Sequence, residues 1–313
     1  MKNLIKRSQI ISDIRLFFLQ KKIMEVDTPI LSRSTVTDLN LVSFNTNYFS
    51  LDNFEKLKLW LITSPEYHMK RLLAAKSGAI YQISHCFRNQ ELGKYHNPEF
   101  TMLEWYQPFY SMKNFMKEID QFLQIILNRG KSDKISYQDV FIKFLNIDPL
   151  STNLSELKKI SKKLKLDHLT YFENNIHQLI QLLFTLSIEP KLGKKRPLFV
   201  YHFPAEQACL ASIHPKDSRI AERFEFFFKG IELGNGFYEL TNVHEQKKRF
   251  IEDNKKRISM NIPIQEIDDF FLESLSSGLP HCSGIAIGLD RLIMLILNEK
   301  SISKVMSFPL DRC

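Results

Sequence analysis

Three stretches of the 313-residue chain combine residue types and spacings that could do chemistry. Glu225, Glu232 and Glu239 recur every seven residues over two strand-like segments, around Gly230-Ile231-Glu232-Leu233-Gly234-Asn235-Gly236. A carboxylate amid apolar strand is costly to bury unless paired or bound to a cation, so this series points to a metal or amine site. Gly284-Ile285-Ala286-Ile287-Gly288 runs into Leu289-Asp290-Arg291. It reads as a glycine-rich strand delivering an arginine to a helix start, where the guanidinium can fork onto phosphate oxygens. The third stretch is Phe87-Arg88-Asn89-Gln90, a polar loop, and then His96-Asn97-Pro98-Glu99-Phe100-Thr101-Met102-Leu103-Glu104-Trp105-Tyr106. By composition alone it is a surface hairpin with an arginine and two acids at its edge. No GxxxxGKS/T phosphate loop occurs, and Gly230, Gly234 and Gly236 do not form a dinucleotide fingerprint, so any nucleotide is held by other means.

Several elements must position these residues. Leu4, Ile11, Ile14, Phe17 and Phe18 predict a helix over 4–22. Glu25 to Leu31 is extended, and Pro29, which lacks an amide donor, suits a sheet edge or a subunit interface. Leu59 to Thr63 predicts a strand, followed by a helix with Ser64 as N-cap, Pro65 at its first position and Glu66 in its first turn. Ala79–Phe87, Phe100–Tyr106, Phe224–Phe228 and Phe237–Leu240 are strand-like, and Met112 to Leu127 is an amphipathic helix. Residues 135–189 are mostly helical without visible chemistry. His244–Met260 is a charged helix, and Leu289–Leu297 another. Six of the ten glycines, at 230, 234, 236, 278, 284 and 288, crowd the last third, marking backbone that turns sharply or approaches a ligand closely. Strands and helices without βαβ alternation predict an α+β fold with an antiparallel sheet.

Apolar residues make up 44% and charged residues 25%, the proportions of an ordinary soluble globular protein. A net charge of +8 permits an acidic partner (nucleic acid, acidic protein or polyphosphate), and equally reflects a lysine-rich composition. Of the basic runs, Lys191–Arg196 and Gln246–Arg257, the second contains Glu252 and Asp253 and reads as a solvated helix face. Cys86, Cys209, Cys282 and Cys313 are too scattered for a zinc site or disulfide framework, which fits a reducing compartment. Met1–Ser12 has no signal-peptide pattern, and no apolar run approaches the ~18 residues of a membrane span. A cytoplasmic protein is expected.

In order and wording, these stretches resemble the signature motifs of class II aminoacyl-tRNA synthetases of the lysine branch, from about residue 4 to residue 312. Glu25-Val26-Asp27-Thr28-Pro29 matches motif 1, which builds the dimer interface in that family and implies a homodimer. Phe87 through Glu104 matches motif 2, and Gly284 to Arg291 matches motif 3. The resemblance implies an antiparallel β-sheet flanked by helices, one catalytic domain over 1–313, and a helical insertion at about 111–196. Motif 1 falls within the first thirty residues, so no N-terminal OB-fold for anticodon binding is expected. Thr63-Ser64-Pro65-Glu66-Tyr67-His68-Met69-Lys70-Arg71-Leu72 and Tyr201-His202-Phe203-Pro204-Ala205 look like the elongation factor P lysyltransferase family. That likeness implies ATP with Mg²⁺, (R)-β-lysine or lysine as substrate, elongation factor P as acceptor, and no tRNA or membrane partner.

The family's roles carry over as follows. Arg88 would hold the α-phosphate and the substrate carboxylate together, with Asn89 and Gln90 beside it; bridging two anions calls for a bidentate cation. His96 would approach the γ-phosphate, Asn97 the adenine edge, and Phe100 would stack on adenine. Arg291 would cover the other adenine face and touch the γ-phosphate, while Leu233 and Gly288 would line the nucleotide through their backbone. Glu225 and Glu232 resemble the Mg²⁺ ligands, an ion content with two carboxylates plus phosphate oxygens. Ser64, Pro65, Glu66, Glu104, Tyr106 and Glu239 match the positions around the amino acid, with Phe237 on its methylene chain.

Two positions depart from the pattern. Gln90 replaces the usual Glu; its amide oxygen can still accept from the adenine amino group. Ala286 replaces a glycine common in tRNA-charging relatives, and the extra methyl removes pocket space, favouring a lysine whose amino group sits on the β carbon. The implied reaction is in-line attack of the substrate carboxylate on the α-phosphorus, followed by attack of an acceptor amine on the acyl-adenylate. A truncated lysyl-tRNA synthetase is the alternative reading, and a non-catalytic paralogue a third. Retention of Arg88 and Arg291 with the three glutamates opposes the third.

Overall fold

Apolar residues at helical spacing near the N-terminus form α1 (Lys2–Gln20), which buries Ile10, Ile14, Phe17 and Phe18. The computed structural model describes residues 1–50, 56–170 and 173–313. After α1 come β1 (Met24–Glu25), β2 (Leu31–Ser32), β3 (Asn45–Phe49), β4 (Lys56–Leu61), α2 (Glu66–Ala74), β5 (Ile80–Phe87) and β6 (Glu99–Pro108). The middle of the chain contributes α3 (Met112–Leu127), β7 (Asp133–Ser136), α4 (Tyr137–Leu145), α5 (Leu154–Lys163), α6 (Asp167–Thr170), α7 (Ile176–Leu183), β8 (Leu198–Tyr201), β9 (Arg223–Phe228) and β10 (Ile231–Tyr238). Last are α8 (Val243–Ser259), α9 (Asp269–Ser276), β11 (Cys282–Gly288) and α10 (Leu289–Ile296). The chain divides into two compact units, Met1–Ser111 with Leu240–Cys313, and Met112–Glu239.

In the first unit the strands run in the order β1-β5-β6-β11, with β2-β4-β3 as a separate small sheet. β5, β6 and β11 are antiparallel neighbours, whereas β1 lies parallel to β5. Pro29 falls between β1 and β2, where no ladder bond is asked of it. Phe18 of α1 stacks on Tyr81 at 4.0 Å and meets Trp105 edge-on, which anchors the helix to β5 and β6. Asp290 fixes the start of α10: its carboxylate accepts from Arg7 Nη1 at 2.6 Å and from the Thr101 amide of β6 at 2.7 Å.

In the second unit the order is β10-β9-β8-β7. Tyr137, Phe141, Leu157, Leu183 and Phe184 from its helical part pack with Val200, Phe203 and Phe227 in one apolar core. The segment 111–196 therefore shares a core with strands that follow it.

Three expectations change. β10 begins at Ile231, so Gly234 and Gly236 are strand residues. A Cβ on Gly236 would sit 2.3 Å from the Phe224 ring, so a protein side chain, and not a ligand, claims that space. Gly230 makes the tight β9–β10 turn at φ +76°. β7 and β8 are a short parallel pair that breaks the purely antiparallel pattern. Finally, α2 starts at Glu66; Ser64 lies outside it, its Oγ accepting from the Glu66 amide at 3.1 Å.

Candidate active site

Arg88 leaves the end of β5, where its amide donates to Pro98 O at 2.9 Å and draws the β5–β6 hairpin together. The guanidinium lies 5.1 Å from the Phe100 ring centroid. Its Nε is buried with no hydrogen-bond partner among the described residues. A dry, unanswered donor on a permanent cation is an unfavourable arrangement that an anionic ligand would relieve. Arg291, in the first turn of α10, donates from Nε to Tyr95 O at 3.1 Å and approaches His96 Nε2 at 2.5 Å through Nη2. Arginine only donates, so His96 Nε2 must accept and the neutral ring carries its proton on Nδ1. Gly288 caps α10, and a methyl there would merely touch the Arg291 stem at 3.6 Å.

The rest of motif 2 is less uniform. Asn97 is buried, and its side chain is engaged by the protein: Nδ2 donates to Glu99 O at 2.6 Å and Oδ1 accepts from the Leu310 amide at 3.0 Å. Gln90 is exposed, in a left-handed conformation at φ +65°, with its amide on Asn89 Oδ1.

Glu104 sits mid-strand on β6 with only 1% exposure. Ser64 Oγ donates to its Oε2 at 2.8 Å and Tyr106 OH to its Oε1 at 2.5 Å. Tyr106 lies two positions along the same strand and so shares its face. Across the ladder, Glu104 is opposite Ala286 of β11 and Gln82 of β5. Ala286 thus borders the buried acid. Burial pushes the Glu104 carboxyl up to about 8, and the nearby Glu66 charge adds to this against the hydroxyl donors and Lys70. Glu66 is held at 2.6 Å by Lys70 Nζ. Pro65 precedes it, buried at the helix entry.

In the second unit, Glu225 of β9 receives Arg223 Nη2 at 2.5 Å. Glu232 of β10 is opposite Phe227, two residues from Glu225, so both carboxylates lie on one face. Burial pushes Glu225 up to about 8; Arg223 opposes the shift and Glu232 adds to it. Leu233 and Glu239 are buried, and Phe237 packs on the Ala208, Ala211 and Ala221 cluster. His202, His214 and Glu222 also meet here, with both Nε2 atoms 3.5–3.9 Å from Glu222 Oε1. The Lys216 amide donates to His214 Nδ1, which leaves that ring's proton on Nε2 facing the carboxylate. The three form a half-buried polar cluster in which Glu222 faces both imidazoles.

The expected ligands fit the residues present. The unanswered Nε of Arg88 suits a phosphate or carboxylate, and two same-face acids at Glu225 and Glu232 suit a hard cation with oxygen preference. Sequence reasoning missed Arg223, Lys70 and Asp290. Arg223 also donates to Gln207 O at 2.5 Å and Asn235 Oδ1 at 3.2 Å, and lies 4.7 Å from the Phe203 ring. The one available clue was its place two residues before Glu225, on the same strand face.

An α+β unit with arginines at the β5–β6 hairpin and at the head of α10, and a buried carboxyl on the strand between β5 and β11, is consistent with a class II synthetase core. The family model for class II tRNA synthetases (D, K and N) matches residues 1–312, and the chain belongs to this family. Its similarity to particular relatives is greater still. The chain is 75% identical over 311 residues, 99% of this chain and 96% of the relative, to the elongation factor P–(R)-β-lysine ligase of Buchnera aphidicola subsp. Acyrthosiphon pisum (strain Tuc7). To the ligases of the same name from Buchnera aphidicola subsp. Schizaphis graminum (strain Sg) and Proteus mirabilis (strain HI4320) it is 67% and 52% identical, over 99% of this chain and 96% and 95% of theirs.

Proposed function

We propose that this chain is an ATP-dependent ligase that activates (R)-β-lysine as an acyl-adenylate and joins it by an amide bond to a lysine side chain of elongation factor P. The observation that carries the reading is the Glu104 pocket: a buried carboxyl fed by two neutral donors, with Glu66 beside it and Ala286 opposite. Such a pocket takes an ammonium group, which can replace the carboxyl proton.

Arg88 holds the substrate carboxylate against the α-phosphate, with Phe100 under the adenine; the carboxylate oxygen bonds to phosphorus as the bond to pyrophosphate breaks. Arg291 and His96 hold the terminal phosphates. Asn97, its side chain already engaged, lines the adenine edge through its backbone, with Asn89, Gln90, Leu233 and Gly288 also along the nucleotide. Ser64, Pro65, Glu66, Glu104, Tyr106, Phe237, Glu239 and Ala286 bind the amino acid. A Mg²⁺ ion on Glu225 and Glu232 would supply charge neutralisation to a polyphosphate. The acceptor's lysine amine then bonds to the acyl carbon and AMP departs. We place this reaction in the cytoplasm and in a homodimer built on Glu25–Pro29; no helix among the described residues is long and apolar enough to cross a membrane.

ATP–pyrophosphate exchange with α-lysine and both β-lysine enantiomers, run beside labelling of elongation factor P and of tRNA, tests the reading. Exchange with (R)-β-lysine and labelling of the protein are expected. Efficient tRNA charging with an unlabelled factor would overturn it.

A further inference from the structure

Lys70 is a lysine with 1% exposure, a state in which ammonium groups are rarely found unless paired. It lies one turn after Glu66 on α2, the spacing and order that bring a carboxylate and an ammonium together on one helix face. Its Nζ is 2.6 Å from Glu66 Oε1 and 5.9 Å from the ring centroid of Phe271, which stacks on Tyr67 at 4.4 Å. Burying such a pair for stability alone is a poor arrangement, since apolar side chains of the same volume do as well or better. Ser64 Oγ donates to Glu104 Oε2 at 2.8 Å and accepts from the Glu66 amide at 3.1 Å, so one hydroxyl links the two residues, and the Glu66 charge adds to the upward shift of Glu104.

We propose that Lys70 is a positioning and charge-setting residue of the amino-acid pocket, holding Glu66 in place and cancelling its charge so that Glu104 can exchange its proton for the substrate's ammonium group. The inference rests on reading Glu66 and Glu104 as the amino-acid site. The groups facing the pair come from every neighbouring element. α2 supplies Glu66, Tyr67 and Lys70, the preceding turn Ser64, and β6 Glu104 and Tyr106. Gln82 and Cys86 come from β5, Asp268 from the cap of α9, Asp253 from α8 and Asp38 from the segment before β3; the charges of Glu104 and Arg88 reach Cys86, and those of Asp268, Asp253 and Asp38 reach Tyr67. Among these, Lys70 is the cation in contact with Glu66. Without it, two carboxyls share the pocket with less compensation, the proton on Glu104 is held more tightly, and an incoming ammonium must compete with it over a wider pH range.

The test compares the full-length protein with Lys70→Met, which keeps the stem and removes the charge, and Lys70→Arg, which restores it. Selective ¹³C labelling of glutamate carboxyls, with Glu104→Gln to assign the signal, reads the Glu104 titration without any activity. Lys70→Met is expected to move that midpoint upward by about one pH unit, and Lys70→Arg to return it towards the parent. In pyrophosphate exchange, Lys70→Met should raise KM for (R)-β-lysine about tenfold at neutral pH, recover partly as pH rises, and change KM for ATP by less than about twofold. A merely structural lysine would lower the folded fraction and kcat without shifting the midpoint or splitting the two KM values. An unmoved Glu104 midpoint in folded Lys70→Met overturns the inference. If the parent shows no exchange with any lysine, the assignment of the reaction fails, while the carboxyl titration still decides the part played by Lys70. Should Lys70→Met not fold, the same comparison is made with Lys70→Arg and Lys70→Gln.

Discussion

Glu104 and Glu225 are both buried strand glutamates, and burial pushes both carboxyls up to about 8, yet their partners differ in kind. Glu104 receives two neutral hydroxyls, and the lysine near it is tied to Glu66. Glu225 receives a guanidinium directly at 2.5 Å. Similar shifts thus hide opposite states of preparation. The first site leaves its carboxyl wanting a cation from outside, as suits an amine pocket. The second is already half neutralised, so a metal there would share Glu225 with Arg223 and draw its main charge from Glu232.

Removing the built-in cation is the harshest way to break this contrast. Arg223→Met strips Glu225, Gln207 O and Asn235 Oδ1 of their donor at once, and urea denaturation at pH 9, where the parent's Glu225 is ionised, should show a loss of about 3–5 kcal/mol. The loss should shrink towards pH 6, because the stranded carboxyl takes up a proton instead. A loss that does not shrink between pH 9 and pH 6 would mean that Arg223 does not neutralise Glu225.

The matching change at the other site should act on binding and spare the fold. In Glu104→Gln the amide still offers an oxygen to one hydroxyl, while the other hydroxyl can accept from its NH₂. Calorimetry with (R)-β-lysine should show affinity reduced about 100-fold, the worth of a buried charge-assisted contact, with stability within about 1 kcal/mol of the parent. Unchanged affinity would remove Glu104 from the pocket.

pH separates the two by ligand. A carboxyl raised in the folded state above its ordinary value of 4.5 contributes stability that is full below that value and is lost as pH rises through about 8. Thermal melts from pH 6 to pH 8.5 should therefore fall, and Glu104→Gln and Glu225→Gln should each flatten part of the fall. Saturating (R)-β-lysine should restore the Glu104 share, and Mg²⁺ with ATP the Glu225 share. If both ligands restore the same share, the distinction between the sites is wrong.

The contrast also marks where sequence reading stopped. The wording around Arg88, Arg291 and Glu104 fixed the family, and helical or alternating periods placed α1, α3, β5 and β6, because long amphipathic elements repeat their signal many times. β7 and β8, four residues each and paired in parallel, repeat nothing. Lys70 looks in sequence like any solvent-facing i,i+4 partner, and its burial arises from Phe271 of α9, remote in the chain. Asn97 reads as free to meet a ligand until the Leu310 amide, 213 residues on, engages its side chain. Gly236 likewise looks reserved for a ligand until the Phe224 ring occupies the space.

The smallest change tests how finely the Glu104 pocket is shaped. Ala286 lies directly across the ladder from Glu104, and in the proposed amino-acid site its methyl would narrow the space beside the acid. Ala286→Gly should raise kcat/KM for α-lysine relative to (R)-β-lysine by about tenfold, the lower end of what one methyl group changes in a packed pocket. The same substitution adds strand glycine freedom and should cost about 0.5–1 kcal/mol of stability, which sets its selectivity effect apart from general loosening. If kcat/KM for both lysines moves together, the methyl acts on the strand and not on the choice of substrate. Discrimination would then rest with Glu66 and Lys70, whose charge balance a change of volume leaves untouched.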